Sequence, residues 1–307
     1  MIVCCGEALI DFLPRKTADG ADTFQPFVGG SVLNVAVALG RLGAPTGFFC
    51  GLSDDFFGAM LRDALHASKV NISLCPITGR PTTLAFVKLT NGNAEYAFFD
   101  EGSAMRLLEE SDLPPIPAAV EAMHFGSIGL MVEPCGSAYE RLMQNESADR
   151  LMSFDPNVRP SLIKNRDGYI ERIERMVAMS DIVKLSREDM EWLAPGVAFE
   201  DFAGDWLKRG ASIVILTQGP DGARAIAKRR SVFVRSVEVA VADTIGAGDT
   251  FSAAVLARLH AEGRLDKRAV QSLSESDLAD VLAYAAKAAA ITASRPGADP
   301  PWLREMQ

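Results

Sequence analysis

The chain is predicted to adopt an α/β fold built on a mainly parallel sheet, and three observations carry that expectation. From Val120 onward, strand-like and helix-like segments alternate in the βαβ order that brings parallel strands together. Ile2-Val3-Cys4-Cys5 at the start reads as a buried strand. A length of 307 residues suits one large α/β domain or two small ones, and 48% apolar residues can fill a sizeable core.

The overall balance excludes several classes. A formal charge of −9 argues against a nucleic-acid surface, which needs an excess of Lys and Arg. No apolar run reaches membrane-spanning length, since Lys287 interrupts the alanine-rich segment near the end. The first residues lack the basic region and long apolar core of a secretory signal. Five cysteines (Cys4, Cys5, Cys50, Cys75 and Cys135) have no metal-ligand spacing and fit reduced thiols. His66, His124 and His260 are scattered and read as structural. A soluble cytoplasmic protein without nucleic-acid or membrane partners is expected.

In chain order, a second apolar run closes at Asp11, which is either a turn residue or an acid facing a cleft at the carboxyl end of a parallel strand. Residues 12–28, broken by Pro14, Gly20 and Pro26, read as a small irregular or β excursion. Gly29 and Gly30 open a helix with an apolar face of Leu33, Val37 and Leu42, closed by Gly43. Asn34 stands one turn inside it, where it is a solvated polar residue or a hydrogen-bonding group for a ligand. Residues 83–99 read as a β-hairpin around Asn91-Gly92-Asn93. Helices are expected over 136–145, 169–179, 187–193 and 199–209, with strands at 151–154, 182–185 and 213–216. Asp155-Pro156-Asn157-Val158-Arg159 ends one of those strands, and Arg159 is a surface charge or a guanidinium fork for substrate or phosphate. Thr217-Gln218-Gly219-Pro220-Asp221-Gly222 reads as a turn between strands.

Residues 231–241 alternate as a strand, and Phe251, Val255 and Leu259 recur at helical spacing beyond them. Gly246-Ala247-Gly248 is therefore a glycine-rich bend opening a helix, where backbone can approach a ligand and unpaired N–H groups face an anion. Asp249 in the first turn either complements the helix dipole or takes a proton from an attacking hydroxyl. The alanine-rich helix expected over 277–293 leads into the loop Ser294-Arg295-Pro296-Gly297-Ala298.

The spelling Asp243-Thr-Ile-Gly-Ala-Gly-Asp249 resembles the C-terminal signature of the ribokinase-like (PfkB) carbohydrate kinases. Gly29-Gly30-Ser31-Val32-Leu33-Asn34, followed by Gly51-Leu-Ser-Asp54-Asp-Phe-Phe-Gly58, is similar to that family's N-terminal signature, and the resemblance extends over nearly the whole chain. It implies one kinase domain over residues 1–307, with a doubly wound sheet sandwiched by helices. A small β lid would come from about 12–28 and 80–100 and exclude water, a competing phosphoryl acceptor. It also implies Asp249 as catalytic base, with the amides of Gly246, Ala247 and Gly248 as the anion hole. Asp11, Gly29, Gly30, Asn34 and Arg159 would hold the sugar. Lys184, Ser186, Thr217, Gly219, Gly222 and Gly248 would lie along ATP. Backbone oxygens of Asp243, Ile245, Thr292, Arg295 and Gly297 would hold K⁺. Where many members carry Asn-x-x-Glu near Mg²⁺ and water, this chain departs with Ser186-x-x-Asp189, keeping an oxygen and the carboxylate of Asp189.

An ATP- and Mg²⁺-dependent sugar kinase is thus expected, with a homodimer as a further expectation. Gly-Glu-Ala-Leu-Ile-Asp, Gly-Gly-Ser-Val-Leu-Asn and Val-Lys-Leu-Ser-Arg-Glu-Asp look most like bacterial fructokinases. The alternatives within the class are a 2-keto-3-deoxygluconate kinase, since Arg159 suits an acidic sugar, or another sugar or nucleoside kinase of the same family. Other classes lack their signatures. No Gly-x-Gly-x-x-Gly follows the first strand, no Gly-x-x-x-x-Gly-Lys-Ser/Thr occurs, and Phe125-Gly126-Ser127-Ile128-Gly129 has the wrong spacing for a nucleophile elbow. A non-catalytic sugar-binding protein is the rival from another class, and the presence of Asp249 counts against it.

Overall fold

The computed structural model describes residues 1–90, 93–228 and 230–307. The first half runs β1 (Ile2–Cys5), β2 (Leu9–Lys16), β3 (Asp22–Gly29), α1 (Ser31–Arg41), β4 (Thr46–Phe49), β5 (Leu52–Ser53), α2 (Phe56–Ala67), β6 (Val70–Asn71), β7 (Ile77–Thr78), β8 (Leu84–Thr90) and β9 (Asn93–Phe99). It continues with β10 (Ala122–Gly126), α3 (Cys135–Glu146), β11 (Leu151–Asp155), α4 (Arg166–Ala178), β12 (Ile182–Ser186), α5 (Arg187–Leu193), α6 (Phe199–Arg209) and β13 (Ile213–Thr217). The chain ends with β14 (Ala223–Ala227), β15 (Arg230–Val234), α7 (Ala247–Ala261), α8 (Lys267–Ser272) and α9 (Glu275–Ala293).

A nine-stranded sheet has the order β15-β14-β13-β12-β11-β10-β1-β4-β6, parallel from β6 to β13 and antiparallel at β14 and β15. Its central strands are mostly apolar and buried throughout, as strands covered on both faces must be. Helices α1, α2, α7 and α9 pack as one group, and α3, α4 and α6 as another. α7 is buried nearly all round, because α1 and α9 flank it, and the alanines of α9 allow that close approach. The chain winds from β1 to β4 and β6 in one direction, then restarts at β10 on the other side of β1. Between β1 and β10, at their carboxyl ends, lies the crevice where open sheets of this kind bind ligands.

A second sheet, β3-β2-β8-β9, stands apart from the first. β2 pairs antiparallel with β3 and parallel with β8, and β8 pairs with β9 from Leu84↔Phe99 to Thr90↔Asn93. The expected hairpin is present, while Asn91 and Gly92 of its expected turn lie outside the described residues. Phe12 stacks on Phe86 at 4.6 Å, and Phe24 meets Phe86 edge-on at 5.3 Å, so this small sheet has its own aromatic cluster.

Two local expectations need correction. Asp11 does not close a strand of the large sheet; it sits inside β2, opposite Phe27 of β3 and Ala85 of β8. An apolar run shows that a strand is buried but not which sheet it joins. The strand expected over 231–241 ends at Val234, because its partner β14 begins at Ala223, the residue opposite Val234. Val237, Val239 and Val241 beyond it are exposed and line a cleft instead of a ladder. The five cysteines are free thiols, and no helix among the described residues is long and apolar enough to cross a membrane.

Candidate active site

A cleft of about 1450 Å³ runs along the carboxyl ends of the parallel strands and under the small sheet. It brings together, among others, Asp11, Gly30, Asn34, Arg159, Lys184, Ser186, Asp189, Thr217, Gly219, Gly222 and the whole stretch Ile245–Asp249, which are spread over the sequence. Gly29, Asp243, Thr292, Arg295 and Gly297 do not line it.

Asp249 is the third residue of α7 and is only 8% exposed. Its carboxylate does not cap its own helix. Oδ1 accepts the Ser31 hydroxyl at 2.6 Å and Oδ2 accepts Asn34 Nδ2 at 2.9 Å, both from the first turns of α1. Burial pushes this carboxyl above the usual range, opposed by the Ser31 and Asn34 hydrogen bonds and then by the charge of Lys184. The bend before it turns at Gly246, whose φ of +75° is left-handed and where a Cβ would stand 2.6 Å from Ala298 Cβ. Ala247 N–H reaches only Thr244 O at 3.3 Å, and the other amides of this first turn have no intrahelical acceptor.

Lys184 is the middle residue of β12 and is buried with Asp155 from the end of β11, Nζ to Oδ2 2.9 Å. Burial works against its charge, but the Asp155 carboxylate outweighs it and holds the ammonium above its ordinary pKa. A Cβ at Gly248 would lie 3.1 Å from Lys184 Nζ, so glycine there lets a buried cation approach the bend. Amides and ammonium together form an anion site beside a carboxylate, the pairing that phosphoryl transfer needs.

At the small-sheet end, Asp11 faces Arg159. Burial raises its carboxyl to about 6 while the guanidinium opposes that rise. Gly29 makes room for this carboxylate, since a Cβ would fall 2.1 Å from Asp11 Oδ2. Arg159 Nη1 donates to Asn157 Oδ1 at 2.6 Å and to the carbonyls of Asn157 and Val158 at 3.1 Å each. Tyr96 and Phe98 of β9 line the same end.

At the other end, Ser186 and Asp189 cap α5 reciprocally. Asp189 Oδ2 accepts Ser186 N–H and Oγ–H at 2.9 and 2.8 Å, and Oδ1 accepts Val158 N–H at 2.7 Å. Thr217, Gly219 and Gly222 form the opposite wall. Asp243 ties two loops, accepting Ile245 N–H and Gly297 N–H at 3.0 Å each. The carbonyls of Ile245, Thr292, Arg295 and Gly297 therefore belong to segments held to one another, a framework that fits a carbonyl-bound cation. Among the described residues no cluster of three or more His, Cys, Asp or Glu could hold a metal.

Among the polar side chains of this cleft or its floor that sequence reasoning left without a role are Glu7, Ser31, Asp155 and Asn157. Glu7 is 1% exposed, with Oε1 accepting Val32 N–H at 3.3 Å and Oε2 without a partner among the described residues. The usable signal was position: Glu7 and Asp155 each follow or end a mostly apolar, buried strand at the carboxyl edge. Ser31 and Asn157 carry no such mark.

Fold and cleft together are those of an α/β kinase. The chain belongs to the pfkB family carbohydrate kinases, which residues 1–305 match. It is 51% identical over 278 residues to a fructokinase of Rhizobium leguminosarum bv. trifolii, covering 91% of this chain and 85% of that protein. The crystal structure of a fructokinase with bound ATP from Xylella fastidiosa superposes with a TM-score of 0.90 at 28% identity, covering 99% of this chain and 96% of that one. A fructokinase of Vibrio cholerae O395, in a form with fructose, ADP and calcium ion bound, gives 0.84 at 25% identity, covering 97% and 94%.

Proposed function

We propose that this protein transfers the terminal phosphoryl group of ATP to the primary hydroxyl of fructose, giving fructose 6-phosphate and ADP. The observation that carries the reading is Asp249: a buried carboxylate, held by two donors from α1, beside the amides of Gly246–Gly248 and the Lys184 ammonium. Asp249 accepts the proton of the fructose hydroxyl as its oxygen bonds to phosphorus. The bond from phosphorus to the ADP oxygen breaks with its electron pair, and the Gly246–Gly248 amides and Lys184 receive the charge on the transferring group. Asp11, Gly30 and Asn34 position the sugar, the small sheet acts as a lid, and Ser186, Thr217, Gly219 and Gly222 flank the nucleotide. Mg²⁺, bound with ATP, would supply charge neutralisation at the phosphates, and Asp189, whose oxygens accept from Val158 and Ser186, would face it or its water. K⁺ would be held by carbonyls of Asp243, Ile245, Thr292, Arg295 and Gly297 behind the bend. The reading places the enzyme in the cytoplasm as a homodimer.

Fructose is favoured over an acidic keto sugar because the Arg159 charge already faces Asp11, with Nη1 donating to Asn157 and Val158 oxygens. The identity to the Rhizobium fructokinase supports the same choice. The test is coupled ADP release with MgATP across fructose, ribose, glucose, adenosine and 2-keto-3-deoxygluconate, with fructose expected fastest. A tenfold preference for the acidic sugar, about 1.4 kcal/mol of discrimination, would overturn fructose and keep the kinase. If no polyol stimulates ADP release, a binding protein without catalysis is the better description.

A further inference from the structure

Three hydrogen bonds run end to end from Arg159 to Asp249. Arg159 Nη1 donates to Asn157 Oδ1, Asn157 Nδ2 donates to Ser31 Oγ, and Ser31 Oγ donates to Asp249 Oδ1, each at 2.6 Å. The direction of every link is set at its ends. A guanidinium carries donors only, so Asn157 must turn its oxygen to Arg159 and its NH₂ to Ser31. The Ser31 oxygen is then occupied as an acceptor, and its proton is left for Asp249. On the other carboxylate oxygen, Asn34 Nδ2 donates at 2.9 Å. An ionised carboxylate satisfies both donors, whereas a protonated one sets its hydrogen against one of them.

We propose that Ser31 is a positioning residue for the catalytic carboxylate: the line Arg159–Asn157–Ser31 keeps Asp249 ionised and oriented toward the acceptor hydroxyl inside a buried pocket. Ser31 is available for this because it is the first residue of α1, one position past the N-cap Gly30, and its hydroxyl does not cap its own helix. The charged groups facing Asp249 come from three other elements. Lys184 in the middle of β12 favours the ionised form, while Asp155 at the end of β11 opposes it. Glu7 in the turn after β1 is coupled to Asp249 as a second buried carboxyl. Lys184 is shared with Asp155 at 2.9 Å, so the nearest cation is already partly neutralised. The neutral donors of α1 therefore supply the larger counterweight to burial, and Ser31 is the stronger of the two. Because Arg159 also faces Asp11, the line joins the base to the sugar end of the cleft.

The inference rests on Asp249 being the base, and its test includes a readout that needs no substrate. The carboxyl carbon-13 resonance of Asp249, assigned by its loss in Asp249→Asn, is titrated in the wild type, Ser31→Ala, Ser31→Thr, Asn157→Ala and the Ser31→Ala/Asn157→Ala double variant. Ser31→Ala should move the midpoint up by about one pH unit, the size expected for losing a hydrogen bond to the charged form. Ser31→Thr should leave it near the wild-type value. Asn157→Ala should move it in the same direction by less, and the double variant should match Ser31→Ala alone, because both break one line. The acid limb of kcat with fructose should shift with the midpoint. An unmoved midpoint in Ser31→Ala, an equal shift in Ser31→Thr, or additive shifts in the double variant would overturn the proposal. If Ser31→Ala does not fold, Asn157→Ala decides: an unmoved midpoint there also overturns it. A wild type that titrates as described but does not phosphorylate fructose would refute the substrate reading and leave this inference standing.

Discussion

Replacing Asp249 by Asn separates catalysis from structure most sharply. The amide keeps an oxygen for the Ser31 hydroxyl, but it presents an NH₂ group where Asn34 Nδ2 already donates at 2.9 Å, so the Asn34 amide must turn or lose its bond. A hydrogen bond to a charged group is worth about 1.5–3 kcal/mol. Against that loss stands relief from burying a charge in a site only 8% exposed, where burial is the main influence on the carboxyl. The two effects oppose each other, and the variant should fold with a thermal midpoint near that of the wild type. Turnover has no such compensation. Loss of a general base lowers it by about a hundred- to ten-thousandfold, or about 2.7–5.4 kcal/mol in the barrier. The pH dependence has a definite sign. The folded carboxyl has a raised pKa, so its contribution to stability is present below the unfolded value of 3.8 and is lost as pH rises through the folded pKa. Asn lacks that loss, so the stability of the variant relative to the wild type should improve with rising pH. The assay is ADP release at saturating fructose and MgATP, alongside thermal unfolding at acid and neutral pH. A folded variant with turnover within tenfold of wild type would refute the assignment of Asp249 as the base.

Burial pushes the Asp11 carboxyl up to about 6, so fructose capture that uses its ionised form should weaken as pH falls through that value. The acid limb of kcat/KM for fructose should flatten in Asp11→Asn, and a limb that persists unchanged would exclude Asp11 from sugar binding. If the carbonyls tied together by Asp243 hold K⁺, replacing K⁺ with a bulky organic cation should lower turnover by weakening the adjacent anion site. Equal rates in K⁺-free buffer would remove that site.

The parallel architecture was legible because its strands are short apolar runs separated by helix-period segments; α6 matches its expected 199–209 bounds as Phe199–Arg209. The bend at Gly246–Gly248 and the helix behind it were legible for a related reason, since left-handed backbone and close approach leave a local glycine mark. Nothing local marks which sheet an apolar run enters, and Asp11 was accordingly placed at a strand end of the large sheet when it lies within β2 of the small one. The alternating valines beyond Val234 likewise carry a strand pattern, but the register of β14 leaves them without a partner. The sequence by itself determined the class of fold, the glycine bend and the carboxylate that follows it. Only tertiary structure decided which side chains meet that carboxylate: Ser31 and Asn157 lie 126 residues apart, and Ser31 and Asp249 lie 218 apart, yet each pair is joined at 2.6 Å. Periodicity and glycine are local consequences of backbone geometry, whereas a hydrogen bond between distant segments depends on how α1, α7 and the carboxyl ends of the strands pack together.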